Sequence, residues 1–540
     1  MDRRDFGAHA GAFGSVTRSL PALAVVVLGL SGCRAEKPAH VAQGQAEANP
    51  PPAADLEKVA PPGFSPRWLL YGHRAWNQPS SGFTERVARI GEQGVEVEIP
   101  LPAGAAWSPS GELLRVCNVP RLGKGLALMT VAGNTLSAPR YVGLGCGGWW
   151  APRGGHAVTP DGAEWVLGDF AGKGSMHRFQ PMLQFAEDPT WSPTGLYLWT
   201  RSAWGAQPRA HWLTVTSDSP SLEPLRAAAW EAWPSCSWSP EGERLACRGH
   251  REGSDQTEQG LLLFTANRAE STPQGRLVAQ LGSPPGGRFV SGLAPPGWAG
   301  SNWIVLGGIA ISLSGGGREL RFPGLLAPSR RHPVVAYSND GRLHIARLDS
   351  GADVTPLDHR FGHAPSISWA PDGNHLLVHS TGPTETAIWL LPHAWTLTTT
   401  PRLVASTTPT YPAVRAEFTP GSTWVWHERA VRVPAGCDPQ ARPKPVSAPC
   451  GLNQAGCGPV PCELRWVASS ARHIASSQET QLGAQGGVHG WARDDLLLAE
   501  RVPGTSGAPD QLVIRRARGT TLEVVARIDH AGQVRFSWQP

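Results

Sequence analysis

Lysine is nearly missing from this 540-residue chain: five of its 48 basic residues are lysine, and charged residues of all kinds make up only 17%. The formal charge of +5 is small for the length and spread along it. No basic run could track a phosphate backbone, which argues against nucleic-acid binding. No apolar run approaches the roughly 20 residues that cross a bilayer as a helix; the run Leu20–Leu30 (LPALAVVVLGL) has eleven. No long amphipathic helical period competes for the fold. No Gly-x-Ser-x-Gly elbow occurs, which removes one common way of mounting a nucleophilic serine.

What is present starts with a targeting segment. Arg3, Arg4 and Arg18 precede the apolar run, which fits the core of a signal peptide. The run ends in Leu30-Ser31-Gly32-Cys33, which resembles the lipobox of bacterial lipoproteins. That resemblance implies cleavage before Cys33 and a diacylglycerol thioether on its sulfur, with further acylation giving stable anchoring. Asp2-Arg3-Arg4-Asp5-Phe6 also resembles the twin-arginine export motif, although Gly7 stands where an apolar residue is usual. Residues 1–32 are therefore read as a leader. Residues 33–62, rich in Pro and Ala and without apolar periodicity, are read as a lipid-anchored tether.

From residue 63 onward one phrase recurs. An aromatic, a small polar residue, often Pro, and a turn containing Gly lead into a short apolar strand at Trp107 (WSPSGELLRV), Trp191, Trp238 and Trp369. Weaker copies centre on Val158, Tyr337 and Phe418, altered ones on Trp298 and Trp491, and a half-copy on Trp538. Pro presets φ at the second turn position and Gly tolerates positive φ at the fourth, so Ser-Pro-x-Gly suits a type I turn in a hairpin. A mean spacing near 48 residues fits four short strands, one blade of a β-propeller. Twenty-three tryptophans suit the flat faces through which blades pack. The expectation is an all-β fold, a single β-propeller over 63–540 with eight blades, seven as the alternative. Ten markers exceed the usual range, and two intervals near 32 look too short for a blade. The half-copy at Trp538 suggests ring closure with an N-terminal strand such as Trp68–Tyr71.

The phrase is similar to the WD-like repeat of TolB-like propellers, found also in prolyl-oligopeptidase relatives. The Asp common after the Pro is kept at Asp161 and Asp372 and replaced by Ser110, Thr194 and Glu241. The resemblance implies a propeller and, by analogy with TolB, work done through protein contacts.

Nine cysteines less the anchored Cys33 leave eight, an even number in an oxidising compartment. Cys236 and Cys247 bracket a Ser-Pro-Glu-Gly turn at positions that face each other across the hairpin. The same offsets elsewhere hold Ala105 with Val116 and Ile367 with Val378, so a cross-strand disulfide is expected. Cys117 and Cys146 are expected to form a second bridge. Cys437, Cys450, Cys457 and Cys462 crowd into a Pro/Gly-rich insertion at about 434–463 whose disulfide connectivity is open.

Catalytic patterns are near misses. His427-Glu-Arg-Ala-Val431 begins like a zinc-protease helix but ends in Val, and Gly168–Ser175 is one residue short of a phosphate loop. Asp358, His359, His363, His375 and His379 are the alternative to a chain without a metal. The expected function is a lipid-anchored, monomeric, extracytoplasmic module of the bacterial envelope that binds or scaffolds a protein, peptide or glycan, without a cofactor. The alternative is a hydrolase or lyase with its site in the central funnel.

Overall fold

A computed structural model describes residues 66–539 apart from 75–83, 102–103, 120–121, 123, 134, 154, 162–163, 171–175, 180–188, 202–208, 216–219, 221, 254–257, 267–271, 282–293, 315–316, 362–364, 382–385, 408–413, 434–463, 483–488, 503–510 and 530–532. The leader, Cys33 and the tether lie outside the described residues, as do Cys437, Cys450, Cys457, Cys462 and His363.

Each residue of the Ser-Pro-x-Gly phrase has a separate job in the hairpin. The Gly amide donates to the Ser carbonyl, closing the turn at 2.9 Å in Ser108–Gly111, Ser192–Gly195 and Ser239–Gly242. The three glycines have φ of +74°, +74° and +77°, a region that costs any residue with a Cβ. The Ser side chains are fully buried, and each hydroxyl accepts the amide five residues on, at 3.1 Å from Leu113, 3.2 Å from Tyr197 and 3.2 Å from Arg244. A buried amide at the start of the second strand is thereby satisfied, as buried polar groups must be.

Among the described residues these hairpins build ten antiparallel sheets, eight of four strands and two of five. Blade 1 joins Arg67–Arg74, Thr84–Gly91 and Gly94–Leu101 to Gln533–Trp538, its innermost strand. Blades 2 to 10 follow in chain order, with first strands at Ala106–Trp107, Trp149–Trp150, Thr190–Trp191, Trp230–Trp238, Gly297–Ala299, Ala327–Pro328, Ser366–Trp369, Val414–Phe418 and His489–Trp491. Among the described residues, blade 5 alone has a short strand, Arg226–Ala227, ahead of its first marker strand. The fold is thus an all-β propeller, but with ten blades in a ring, which corrects the expectation of eight or seven.

The ring has as many blades as the repeat has markers, because a blade can be shorter than the spacing argument allows. Blade 6 makes four strands of three or four residues between Gly297 and Arg321, so a blade does fit into a short interval. Two markers also sit one hairpin late. Val158 and Tyr337 lie on second strands, His156–Asp161 and Val334–Asn339. The first hairpins of blades 3 and 7 turn instead at Ala151-Pro-Arg and Ser329-Arg-Arg-His332.

Strand alternation supplies the packing. In Arg67–Arg74, Trp68 and Leu70 face blade 2 while Leu69 and Tyr71 face blade 10. Ten apolar clusters occur among the described residues, and each spans two neighbouring blades, one for every seam of the ring including that between blades 10 and 1. The ring closes by sheet pairing, with Leu69 opposite Trp538 and Tyr71 opposite Phe536. Arg67 and Asp494 add an ion pair at 2.6 Å across the same seam.

The marker tryptophans also act at the inner edge. The indole of Trp191 donates to the Trp149 carbonyl, Trp238 to Thr190, Trp298 to Ser237, Trp369 to Ala327 and Trp538 to Gly490, at 2.8 to 3.2 Å. Every acceptor lies on the first strand of the preceding blade. One side chain thus buries a large apolar face in a seam and ties two inner strands together.

Candidate functional site

Two sequence-predicted thiols are joined. Cys236 and Cys247 are direct cross-strand partners in blade 5 and form a disulfide, with Cα atoms 4.1 Å apart. Both are buried in the seam with blade 4. Cys117 and Cys146, the other expected pair, are brought together and stand as two thiols in this structure. The Cys117 thiol donates to the Cys146 carbonyl at 3.6 Å. Burial and the adjacent Cys146 side chain push the Cys117 thiol up to about 12. Leu464–His473 pairs with Trp424–Val433 along ten residues, Val433 opposite Leu464, so the cysteine-rich insertion springs from the middle strands of blade 9.

The described histidines do not converge. His359 packs its ring on Phe361 and Trp389. His375 is buried; its Nδ1 accepts the His393 amide at 3.3 Å and its ring meets His393 and Phe418. Burial lowers its pKa, against the pull of Asp372. His379 is lowered by burial alone. Among the described residues no three His, Cys, Asp or Glu side chains form a metal-binding group. His427 lies on the strand Trp424–Val433, so the protease-like string is not a helix. Gly168 and Asp169 end a strand of blade 3, away from any phosphate-cradling helix.

A site that sequence reasoning missed opens between the inner strands of blades 7 and 8. Ala327, Pro328, Arg330, Ile367, Trp369, Ala370 and Pro371 line a recess of about 570 Å³, within the roughly 300–1,000 Å³ range of small-ligand sites. Two hydrogen bonds join the blades beside it. The Trp369 indole donates to the Ala327 carbonyl at 2.9 Å, and the Ser329 hydroxyl donates to the Gly373 carbonyl at 3.0 Å. The second contact needs Gly373, where φ is +71° and a Cβ would come within 2.7 Å of the Arg331 Cβ.

The chemistry of the lining is simple. Both prolines lack an amide hydrogen, and the only N–H of the Trp369 ring is already used. Apart from Arg330, the wall side chains therefore present hydrocarbon and flat ring faces. Arg330 is exposed at the rim, and no hydrogen bond or ion pair holds its guanidinium among the described residues. Asp372, the nearest acid in the chain, is turned to its own loop, accepting from the Asn374 amide at 2.9 Å and the Asn374 side chain at 3.0 Å.

A second charged group lies in blade 5. The buried Glu231 carboxylate pairs with Arg226 at 3.0 Å and Arg209 at 3.3 Å, and His250 lies 4.0 Å away, stacked on Trp233. Burial lowers the His250 pKa although Glu231 acts to raise it. Its charges are matched within the fold, and it reads as a structural anchor for the start of Trp230–Trp238.

No family model and no curated protein matches the sequence. Among solved structures, the chain is similar to dipeptidyl peptidase 4 from Porphyromonas gingivalis, with 10% identity, 79% of this chain and 59% of that chain covered, and a TM-score of 0.39. It is similar to a TolB protein from Agrobacterium tumefaciens at 14% identity, with 57% and 85% covered and a TM-score of 0.24. The WD40 domain of Toxoplasma gondii coronin matches at 12% identity, with 62% and 68% covered and a TM-score of 0.27. The chain spans 54% of prolyl oligopeptidase B from Galerina marginata and 59% of the dipeptidyl peptidase. These likenesses concern the fold alone.

Proposed function

We propose that this protein is a binding or scaffold module of the bacterial envelope, tethered through lipid on Cys33 and presenting its propeller to a protein or peptide partner outside the cytoplasm. The observation that carries the reading is the recess between blades 7 and 8, with its apolar walls and an unengaged guanidinium at the rim. Rigid strands hold such a site while loops and turns supply its chemistry. The Leu-Ser-Gly-Cys33 string supports the anchor, and the Cys236–Cys247 bond suits an oxidising compartment.

A photo-crosslinking amino acid placed at Ile367, on the recess wall, and separately at Leu403, on an outer strand of blade 8, tests this in the native cells. A discrete adduct from position 367 and none from 403 is expected. Identical patterns from both positions, or no adduct from 367, would refute the reading. In the same cells Cys33→Ser should release the protein from the membrane fraction; continued sedimentation with membranes would refute the anchor.

A further inference from the structure

The recess has a composition that selects among ligands. The side chains of six of its seven lining residues offer only carbon or an already engaged indole, and the seventh, Arg330, offers a full positive charge. Arg331, also exposed and without a partner among the described residues, follows it in the chain. The neighbouring acid, Asp372, is occupied by Asn374. A cationic ligand would meet the Arg330 guanidinium, and no carboxylate lines the recess. A neutral apolar ligand would leave Arg330 facing it unpaired. An anion with an apolar body matches both features.

The walls also separate a peptide from a sugar. A glycan brings several hydroxyl groups, each of which loses water on entering and needs a partner. Pro328, Ile367, Ala370 and Pro371 side chains supply none. Aliphatic and proline side chains need none, and they stack well on the faces of Trp369, Pro328 and Pro371.

Resting on the binding-module reading above, we propose that the recess between blades 7 and 8 takes a short apolar peptide segment carrying a carboxylate, with the carboxylate on Arg330 and the apolar side chains against Trp369, Ile367 and the two prolines. The guanidinium suits the task because its planar fork can hold both carboxylate oxygens at once.

The test uses the full-length protein in detergent. The probes are an acetylated tetrapeptide of Ala, Pro, Leu and Ile ending in a free carboxylate, its C-terminal amide, and a uronic-acid tetramer. Calorimetric titration is expected to show the acid peptide binding at least about tenfold tighter than the amide. Arg330→Gln should bring the two peptides to within about twofold while leaving the melting temperature unchanged, since the side chain is exposed and makes no bond among the described residues. Arginine-directed phenylglyoxal labelling of the wild type should slow at Arg330 in the presence of the acid peptide. Equal affinity for acid and amide, a preference that survives Arg330→Gln, or no saturation by either peptide would overturn the proposal. Saturation by the uronic-acid tetramer alone would overturn the peptide class. An adduct from position 367 in cells alongside any of these failures would leave the binding module standing and the ligand class wrong.

Discussion

The disulfide in blade 5 offers a clean measurement because the fold itself supplies the replacement. Cys236 and Cys247 occupy the cross-strand position that Ile367 and Val378 fill in blade 8 and that Ala105 and Val116 hold in blade 2. The double variant Cys236→Ala, Cys247→Val therefore removes the crosslink and leaves an apolar pair already used by a sister blade. The bond closes a loop with a sequence separation of 11. Chain entropy alone assigns such a loop about 2.8 kcal/mol at 25 °C. Converted to a local opening equilibrium, that is on the order of a hundredfold. Hydrogen exchange reads this directly at the amides of Leu245–Arg248 and Leu261–Leu263, which pair across the middle strands of the same blade. Their protection should fall by about two orders of magnitude, while Leu376–Val378 in blade 8 stays as in the wild type. Unchanged protection in blade 5 would refute the entropic argument. An equal fall in blade 8 would show that the ring opens as one unit and that the hairpin is not the relevant loop.

Four further outcomes follow from the geometry. Asp495 is buried and accepts the amides of Gly421 and Thr423, both at 2.9 Å, along with the Thr419 hydroxyl, so Asp495→Ala should cost about 3 kcal/mol by denaturant unfolding; a loss below about 0.5 kcal/mol would show that water satisfies those donors. Ending the chain at Asp529 removes the inner strand of blade 1 and bares the edge of Arg67–Arg74, so light scattering should detect concentration-dependent association; a monomer of unchanged melting temperature would refute closure by that strand. Burial lowers the pKa of His211, His250, His375, His379 and His473. The unfolded chain then binds more protons than the folded one as pH drops through about 6.5, so the melting temperature should fall between pH 7 and 5, and a flat or rising profile would contradict it. Glutathione disulfide should convert the Cys117 and Cys146 thiols into one intramolecular bond, two glutathiones being released; the exchange begins from the less buried Cys146, because Cys117 at about 12 holds almost no thiolate at neutral pH. Full alkylation of both thiols after that treatment would refute it.

Most of the ring could be read from the chain because its hairpins are local. In Trp-Ser-Pro-x-Gly the indole, hydroxyl, imino ring and missing Cβ each satisfy a need that arises within six residues, or at the neighbouring inner strand. The facing of Cys236 and Cys247 is set by one turn and a period of two, and it was legible for the same reason. Blade number was not, because it depends on how short a strand can be. Blade 6 manages with Trp303–Leu306 and Ile309–Ser312 joined through Gly307 at a φ of +61°, a brevity that spacing alone made look impossible. Blade 7 hid for a different reason: its first hairpin, Ala327-Pro-Ser-Arg-Arg, has neither the aromatic nor the glycine of the phrase.

That same departure is why the recess was invisible and why it is charged. Where a blade begins with tryptophan, the indole fills the groove beside the preceding inner strand, as Trp238 does against Thr190 and Trp298 against Ser237. At blade 7 the corresponding position is Pro328, whose ring is far smaller, and Trp369 of the next blade reaches back to the Ala327 carbonyl. An indole at position 328 would by the same rule lie toward blade 6, where the Pro328 ring packs against Gly297 instead. On the side of blade 8 the turn that lacks glycine carries two arginines, and the first of them, Arg330, lines the recess. The departure of that one turn from the repeat thus accounts for the charge of the recess, while its apolar wall is the ordinary inner strand and turn of blade 8, from Ile367 to Pro371.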